Sequence, residues 1–397
     1  MKDTLIEPTS RLQGFYAISA AERISLSKKA ADINSNDLAG FGNFGTLGED
    51  LVDTFIENGV GTFSLPLGIA TNFTINGQDI LIPMAIEESS VVAAASFGAK
   101  LIRAGGGFQT SSTAPIMTGQ VQIFIDPKTD YDTILLKNKA KILAQANHSF
   151  DRLLSRGGGA QDLSWFALPE LGCVVIHLHI HTADAMGANI VNTMCETVAP
   201  LLCQILPGQT GLRILTNLCT ERRATARCTI PLKAFGQQTT QGQNTVDRIL
   251  MADAFAQADI SRATTHNKGI MNGIDAVVIA TGNDWRAVEA GAHAYCCRDG
   301  RYRPMTQWSK DHEGNLVGKL ELPMALGTVG GVTKLHPTAQ SALKLMGSPN
   351  SCRLAEIVCC VGLAQNLSAL RALGTEGIQQ GHMALHRKNL EMLHKLQ

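Results

Sequence analysis

Apolar and polar residues alternate with a period of two through CVVIHLHIHT, Cys173–Thr182, which predicts a β-strand buried on one face. The spacing then becomes helical across DAMGANIVNTMCETVAPLLCQIL, so a strand-to-helix turn is expected at Asp184–Asn189. PIMTGQVQIFID, RILTNL and ARCTIPL read as further strands, and LLKNKAKILAQANHSFDRLL as a long charged helix followed by Gly157-Gly158-Gly159. SSVVAAASFGAKLIRA reads as an apolar helix that Gly105-Gly106-Gly107 ends, because glycine adopts the backbone of a helix C-terminus without steric cost. Residues 1–60 read as polar helices broken by AGFGNFGTLGED. Roughly 115–221 is therefore an α+β block between helix-rich flanks, and an insertion of one domain into another suits this order better than a tandem. The expected fold class is α/β (α+β). A large, mainly helical domain is formed by about 1–114 and 222–376, with 115–221 as the smaller inserted unit.

Composition narrows the partners. The chain has 397 residues, 45% hydrophobic and 17% charged, a globular balance without disordered bias. Lys+Arg and Asp+Glu both number 34, so no global field draws nucleic acid or an anionic membrane. The start, MKDTLIEPTSRL, lacks the apolar core of a signal peptide, and no apolar run reaches the roughly 20 residues of a membrane span. All ten cysteines lie at or after Cys173, without a C-x-x-C, which suggests reduced and mostly buried thiols in a cytoplasmic protein.

Several motifs compete for the chemistry. Gly40–Gly45 matches G-x-G-x-x-G formally, but the polar DINSNDLA before it is no buried strand and no acid follows for a ribose, so a Rossmann site is not expected. No phosphate-binding P-loop is present. The turn Asp184-Ala185-Met186-Gly187-Ala188-Asn189 is a better candidate, since a glycine at a helix N-terminus lets a diphosphate approach free N–H groups. His177, His179 and His181 share a strand face without a convincing fourth ligand, and His382 and His386 in GHMALH lack the glutamate of a zinc protease; no metal is expected. Glu87-Glu88-Ser89-Ser90 reads plainly as capping of the following helix. Lys268, in THNKGIMNGID, is expected in a tight, partly enclosed loop, and Asp284 follows in GNDWR.

Together PMAIEESSVVAAAS, GGGFQTSSTAPIM, DAMGANIVNTMCE, RATTHNKGIMNGIDAVVIATGNDWRAVEAGAHAY, GTVGGVTKLHP and EGIQQGHMALH resemble hydroxymethylglutaryl-coenzyme A (HMG-CoA) reductase of the bacterial class II type, in order along nearly the whole chain. The resemblance implies interconversion of HMG-CoA with mevalonate and CoA by two NADH or NADPH hydride transfers through mevaldehyde. The catalytic positions it implies are Glu88, Lys268, Asp284 and His382. Ser90, Arg262, Asn272 and Gln365 match substrate positions. Asp184, Met186, Gly187, Ala188, Asn189 and Asn217 match cofactor positions. Asp151 falls where an acid would face the adenosine ribose and slightly favours NADH, because a carboxylate repels a 2′-phosphate.

The chemistry explains the residue types. Hydride addition to a thioester creates an oxyanion for Lys268 to stabilise, expulsion of CoA as a thiolate calls for protonation by His382, and the aldehyde step calls for a proton from Glu88. Asp284, expected beside Glu88 and Lys268, would couple them. The resemblance also implies a non-Rossmann cofactor domain and a homodimer with active sites built from both chains. Two departures stand out: Ala17 follows SRLQGFY where the family often carries a basic residue, and class II chains run further past GHMALH. Residues 377–397 are expected to be the start of a C-terminal flap, apparently truncated. Two other readings remain: a pyridoxal-phosphate lyase or transferase using Lys268, and an inactive CoA-binding protein.

Overall fold

A computed structural model describes residues 14–31, 41–236, 238–375 and 377. Helices α1 (Ala20–Ala31) and α2 (Gly48–Phe55) precede an antiparallel hairpin of β1 (Leu67–Ile75) and β2 (Gln78–Ala85). Helix α3 (Val91–Arg103) ends at the glycine run and leads into β3 (Gln109–Ser112). The run is sterically required in part: a Cβ on Gly105 would lie 1.7 Å from the Thr229 carbonyl oxygen.

The chain next forms β4 (Ile116–Ile125), α4 (Tyr131–Asn147), the short α5 (Asp151–Leu154), β5 (Gly159–Leu168), β6 (Cys173–His181), α6 (Ala188–Ile205) and β7 (Gly208–Leu215). These strands make one antiparallel sheet in the order β5-β6-β4-β7. Val174, Ile176, Leu178 and Ile180, the alternate residues of β6, are buried against Leu135 and Ile142 of α4 and Val191, Met194 and Val198 of α6. His177 and His179 project from the other face.

The remaining elements are β8 (Arg223–Ile230), α7 (Thr239–Ala258), α8 (Ile260–Ala280), α9 (Trp285–Cys296), β9 (Thr306–Lys310), β10 (Leu316–Pro323), α10 (Gly331–Leu335), α11 (Pro337–Leu345) and α12 (Ser351–Gly374). The second sheet has the order β3-β8-β10-β9. Strands β3 and β8, which flank the α+β block in sequence, are thus neighbours in it. Every pairing between these named strands is antiparallel, so the described residues hold no parallel βαβ nucleotide fold.

Two hydrophobic clusters result. One lies within the first sheet and its helices, joined by Cys219 and Ala325; the other is built on α3, α8, α12 and the second sheet. By length and composition alone α12 could cross a membrane, but in this fold it is a core helix, mostly buried against α3 and α8. Its contact with α3 is backbone-close, since a Cβ on Gly98 would stand 2.1 Å from the Ala364 carbonyl oxygen. All ten cysteines are free, and burial pushes the Cys195, Cys228 and Cys296 thiols up to about 12, so they are inert at neutral pH.

Candidate active site

Lys268 does not lie in a loop: it is on α8, a 21-residue helix that runs unbroken through both of its glycines. The small residues that suggested a turn serve helix packing instead. A Cβ on Gly273 would press within 3.1 Å of Val361 and Gln365 on α12. Asp259 caps α8 by accepting from the Arg262 N–H at 2.6 Å.

One turn separates Lys268 from Asn272, so both side chains leave the same side of the helix. Both reach Glu88, from the turn before α3. Lys268 Nζ donates to Glu88 Oε2 at 3.1 Å, and Asn272 Nδ2 donates to the same oxygen at 3.3 Å. The Lys268 side chain is 63% exposed and Glu88 38%, so a ligand can meet both. Ser90, at the head of α3, has φ 76° and makes no capping bond with its side chain, so the capping expectation fails at this residue. Ser90 lines, with Glu88, Arg262, Lys268, Asn272 and Gln365, a cleft of 470 Å³. Gln365 is buried, and its Oε1 has no hydrogen-bond partner.

The strand-to-helix turn after β6 is where the periodicity predicts it. Gly187, with φ 102°, is the N-cap of α6, and the turn opens onto two adjoining clefts. One, of 310 Å³, is lined by Ala185–Ile190, Gly282–Asp284 and Gly327. The other, of 1140 Å³, runs past Asp184 and Ala185 to Asp151, Arg152 and Arg156. The Asp184 carboxylate itself is structural, accepting from the Ser351 N–H at 2.9 Å at the start of α12. Asn217 is exposed; its carbonyl packs on Gly291 of α9, and it lines neither cleft.

A residue the sequence did not flag holds this turn in place. Arg222, almost wholly buried, donates from Nη1 to Thr182 Oγ1 at 3.0 Å and to the Ala185 and Met186 carbonyls at 3.2 and 2.9 Å, and from Nη2 to the Leu326 carbonyl. Burial pushes its guanidinium down to about 10, still protonated at neutral pH. Nothing in TERRATA distinguishes Arg222 from its neighbour Arg223.

Asp284 departs from expectation within this chain. It caps α9, accepting from the Arg286 and Ala287 N–H groups at 3.1 and 3.3 Å and pairing with the Arg286 guanidinium at 3.1 Å. It lines the smaller cleft beside Gly187 and not the cleft of Glu88 and Lys268. His177 and His179 are engaged by Gln120, Ser164 and Glu221, and no cluster of metal-type side chains occurs among the described residues. His382 and His386 lie outside the described residues.

An antiparallel α+β unit with a glycine turn at a helix start, together with a separate cleft that presents an ion-paired lysine, fits an oxidoreductase of mixed α/β fold. The chain belongs to the hydroxymethylglutaryl-coenzyme A reductase family, whose model matches residues 19–387. The 3-hydroxy-3-methylglutaryl-coenzyme A reductase of Archaeoglobus fulgidus is 46% identical over 97% of this chain and 87% of its own. A class II reductase from Streptococcus pneumoniae, solved bound to NADPH in open conformations, matches with TM-score 0.81 and 41% identity, covering 95% of this chain and 92% of that one. A second structure of the Streptococcus pneumoniae enzyme gives TM-score 0.81 and 42% identity, over 96% and 91%. The resemblance to class II reductases is thus confirmed, and the pyridoxal-phosphate reading is set aside.

Proposed function

We propose that this enzyme interconverts HMG-CoA with mevalonate and CoA through mevaldehyde, at the cleft where Lys268 and Asn272 meet Glu88. The 3.1 Å contact between Lys268 and Glu88 carries the reading, because it joins a cation and a carboxyl group at one point open to substrate.

The clefts beside Gly187 suit a nicotinamide dinucleotide: a left-handed glycine at the start of an 18-residue helix leaves backbone N–H groups free for a diphosphate. The NADPH-bound pneumococcal relative supports a nicotinamide cofactor. Bound there, the dinucleotide supplies hydride. Lys268 stabilises the oxyanion that forms from the thioester carbonyl, a contact worth about 3–4 kcal/mol. His382 gives its proton to the departing CoA thiolate. Lys268 acts again on the aldehyde oxygen, and Glu88 delivers the proton that completes the alcohol. Arg262, Ser90 and Gln365 hold the acyl group. Asp151 opposes a 2′-phosphate while Arg152 and Arg156 in the same wall attract one, so the cofactor preference reads the balance of these three.

The α+β unit between β3 and β8, about 115–221, acts as the cofactor domain inserted in the large domain. Because Asp284 lines the smaller cleft beside Gly187 and Lys268 a different one, a second copy of the chain supplies the missing group to each site. Ile56, Phe63, Leu67, Ile69 and Leu81, exposed apolar side chains on and before the first hairpin, provide a surface for that pairing.

The test follows nicotinamide absorbance with HMG-CoA, and with mevalonate plus CoA, for NADH and NADPH separately, with solution mass measured alongside. HMG-CoA-dependent oxidation by a dimer is expected. CoA binding without turnover would leave the inactive-protein reading in its place.

A further inference from the structure

Immediately before the exposed Lys268 come two polar residues that the helix buries completely, His266 at 2% and Asn267 at 0% exposure. Polar side chains buried mid-helix weaken folding unless their hydrogen bonds are met. Here other elements meet them at Asn267 and at His266 Nε2, while His266 Nδ1 has no hydrogen-bond partner. Asn267 behaves as a strand partner would: its Nδ2 donates to the Arg303 carbonyl, and its Oδ1 accepts from the Met305 N–H, both at 2.9 Å. His266 Nε2, the Thr306 hydroxyl and the Asn366 amide lie in a triangle with edges of 2.7, 2.9 and 3.1 Å, of which two are hydrogen bonds at a time because the Thr306 hydroxyl has a single proton. Trp308 Nε1–H donates to Asn366 Oδ1 at 2.8 Å, which fixes how that amide is turned. Burial pushes the His266 ring down to about 4, so the triangle stays neutral at working pH.

Asn366 is on α12, and two residues further Ser368 Oγ donates to the Ala94 carbonyl of α3 at 2.6 Å. The same turn of α12 therefore grips α8 through His266 and α3 through Ala94. Those two helices are the ones that carry Lys268 and follow Glu88. The glycine contacts already described, Gly98 on Ala364 and Gly273 on Val361 and Gln365, bring both helices hard against this stretch of α12.

We propose that His266, with Asn366 and Thr306, is a positioning residue for the reaction: the buried triangle sets the height of Lys268 on α8 relative to Glu88. His266 and Asn366 border the same cleft, yet both are almost wholly buried and act through Lys268. Its interaction with a developing oxyanion is sensitive to sub-ångström placement. The inference rests on the reductase reading above.

The test compares His266→Leu with His266→Gln, since a glutamine amide can rejoin the triangle near the position of Nε2 and leucine cannot. For His266→Leu we expect kcat to fall about 10- to 100-fold, by the same factor for HMG-CoA and for mevaldehyde, because Lys268 serves both steps. The nicotinamide KM should stay unchanged. His266→Gln should recover kcat to within about threefold of the unmodified enzyme. A folded His266→Leu with more than half of kcat would overturn the proposal. So would a His266→Gln as impaired as the leucine variant, or a nicotinamide KM that rises in step with the loss. If leucine prevents folding, Thr306→Val removes one corner at nearly constant volume and must show the same pattern; normal kcat there overturns the proposal equally. Absence of HMG-CoA turnover in the unmodified chain would instead refute the reductase reading, and would be seen before any variant is made.

Discussion

Lys268 Nζ stands 3.1 Å from Glu88 Oε2 across a sequence separation of 180 residues, and Asn272 shares the same oxygen at 3.3 Å. One carboxylate oxygen thus receives a cation and a neutral donor that are rigidly spaced by a helical turn. On the proposed reading, a substrate entering the cleft would compete for Lys268 without leaving Glu88 bare, because the amide remains.

Replacing Lys268 with Ala should therefore abolish both reductive steps. We expect kcat to fall at least roughly 10²–10³-fold, as for loss of other oxyanion donors, with substrate binding weakened less. Steady-state kinetics with HMG-CoA and mevaldehyde measure both; a tenth of the normal kcat on either substrate would exclude the role.

Gly187 provides the corresponding test on the cofactor side. Its φ of 102° is strained for any L side chain, and an added Cβ would meet Thr182 Cγ2 at 2.4 Å. Gly187→Val should raise the nicotinamide KM while the KM for HMG-CoA stays near its normal value. Equal change in the two constants, in a protein of normal circular dichroism, would show that the turn does not hold the dinucleotide.

Only the first half-reaction expels a thiolate. His382→Gln should cripple reduction of HMG-CoA and largely spare free mevaldehyde, whereas Glu88→Gln should impair the mevaldehyde step. His386, four residues on, serves as the control whose replacement should matter much less. Parallel losses on both substrates for His382→Gln would remove its assignment as the acid for sulfur.

Stability should carry its own pH signature. Burial, reinforced by the neighbouring Glu289, pushes the Asp275 carboxyl up from 3.8 to about 8, and its Oδ1 has no partner. Glu289 is held in the opposite direction, chiefly by its 2.8 Å contact with His293, so Asp275 is the member that keeps the proton. Between about 4 and 8 the unfolded chain has lost a proton that the folded chain retains. Rising pH across that window therefore favours unfolding, and the penalty is complete above about 8. Asp275→Asn should leave the melting temperature unchanged near the acid end and raise it increasingly toward pH 8. A difference independent of pH would contradict this account.

Much of this was legible in the sequence where a single period ran through a whole element. The strict alternation of Cys173–His181 and its switch to helical spacing located β6, the Gly187 turn and α6. The THNKGIMNG segment misled, because glycine marks close helix packing as readily as a turn, and only the facing residues Val361 and Gln365 tell which. Ser90 misled in the other direction: the residue type of a cap is present without the bond. The meeting of Glu88, Arg262, Lys268, Asn272 and Gln365 in one cleft rests on three helices packing together, which no local pattern encodes. For Arg222 and the His266 triangle, the information lies wholly in tertiary burial.

Arg222 lies one residue past the proposed cofactor unit, yet its guanidinium braces that unit's glycine turn, and it does so while also gripping the Leu326 carbonyl. Modularity here is topological and not mechanical. A graft of residues 115–221 onto another scaffold would carry the glycine turn and leave behind the arginine and the 326–328 loop that brace it. Exchange of cofactor specificity between relatives should accordingly succeed by point changes near Asp151, at the far end of the cleft, sooner than by swapping the unit whole.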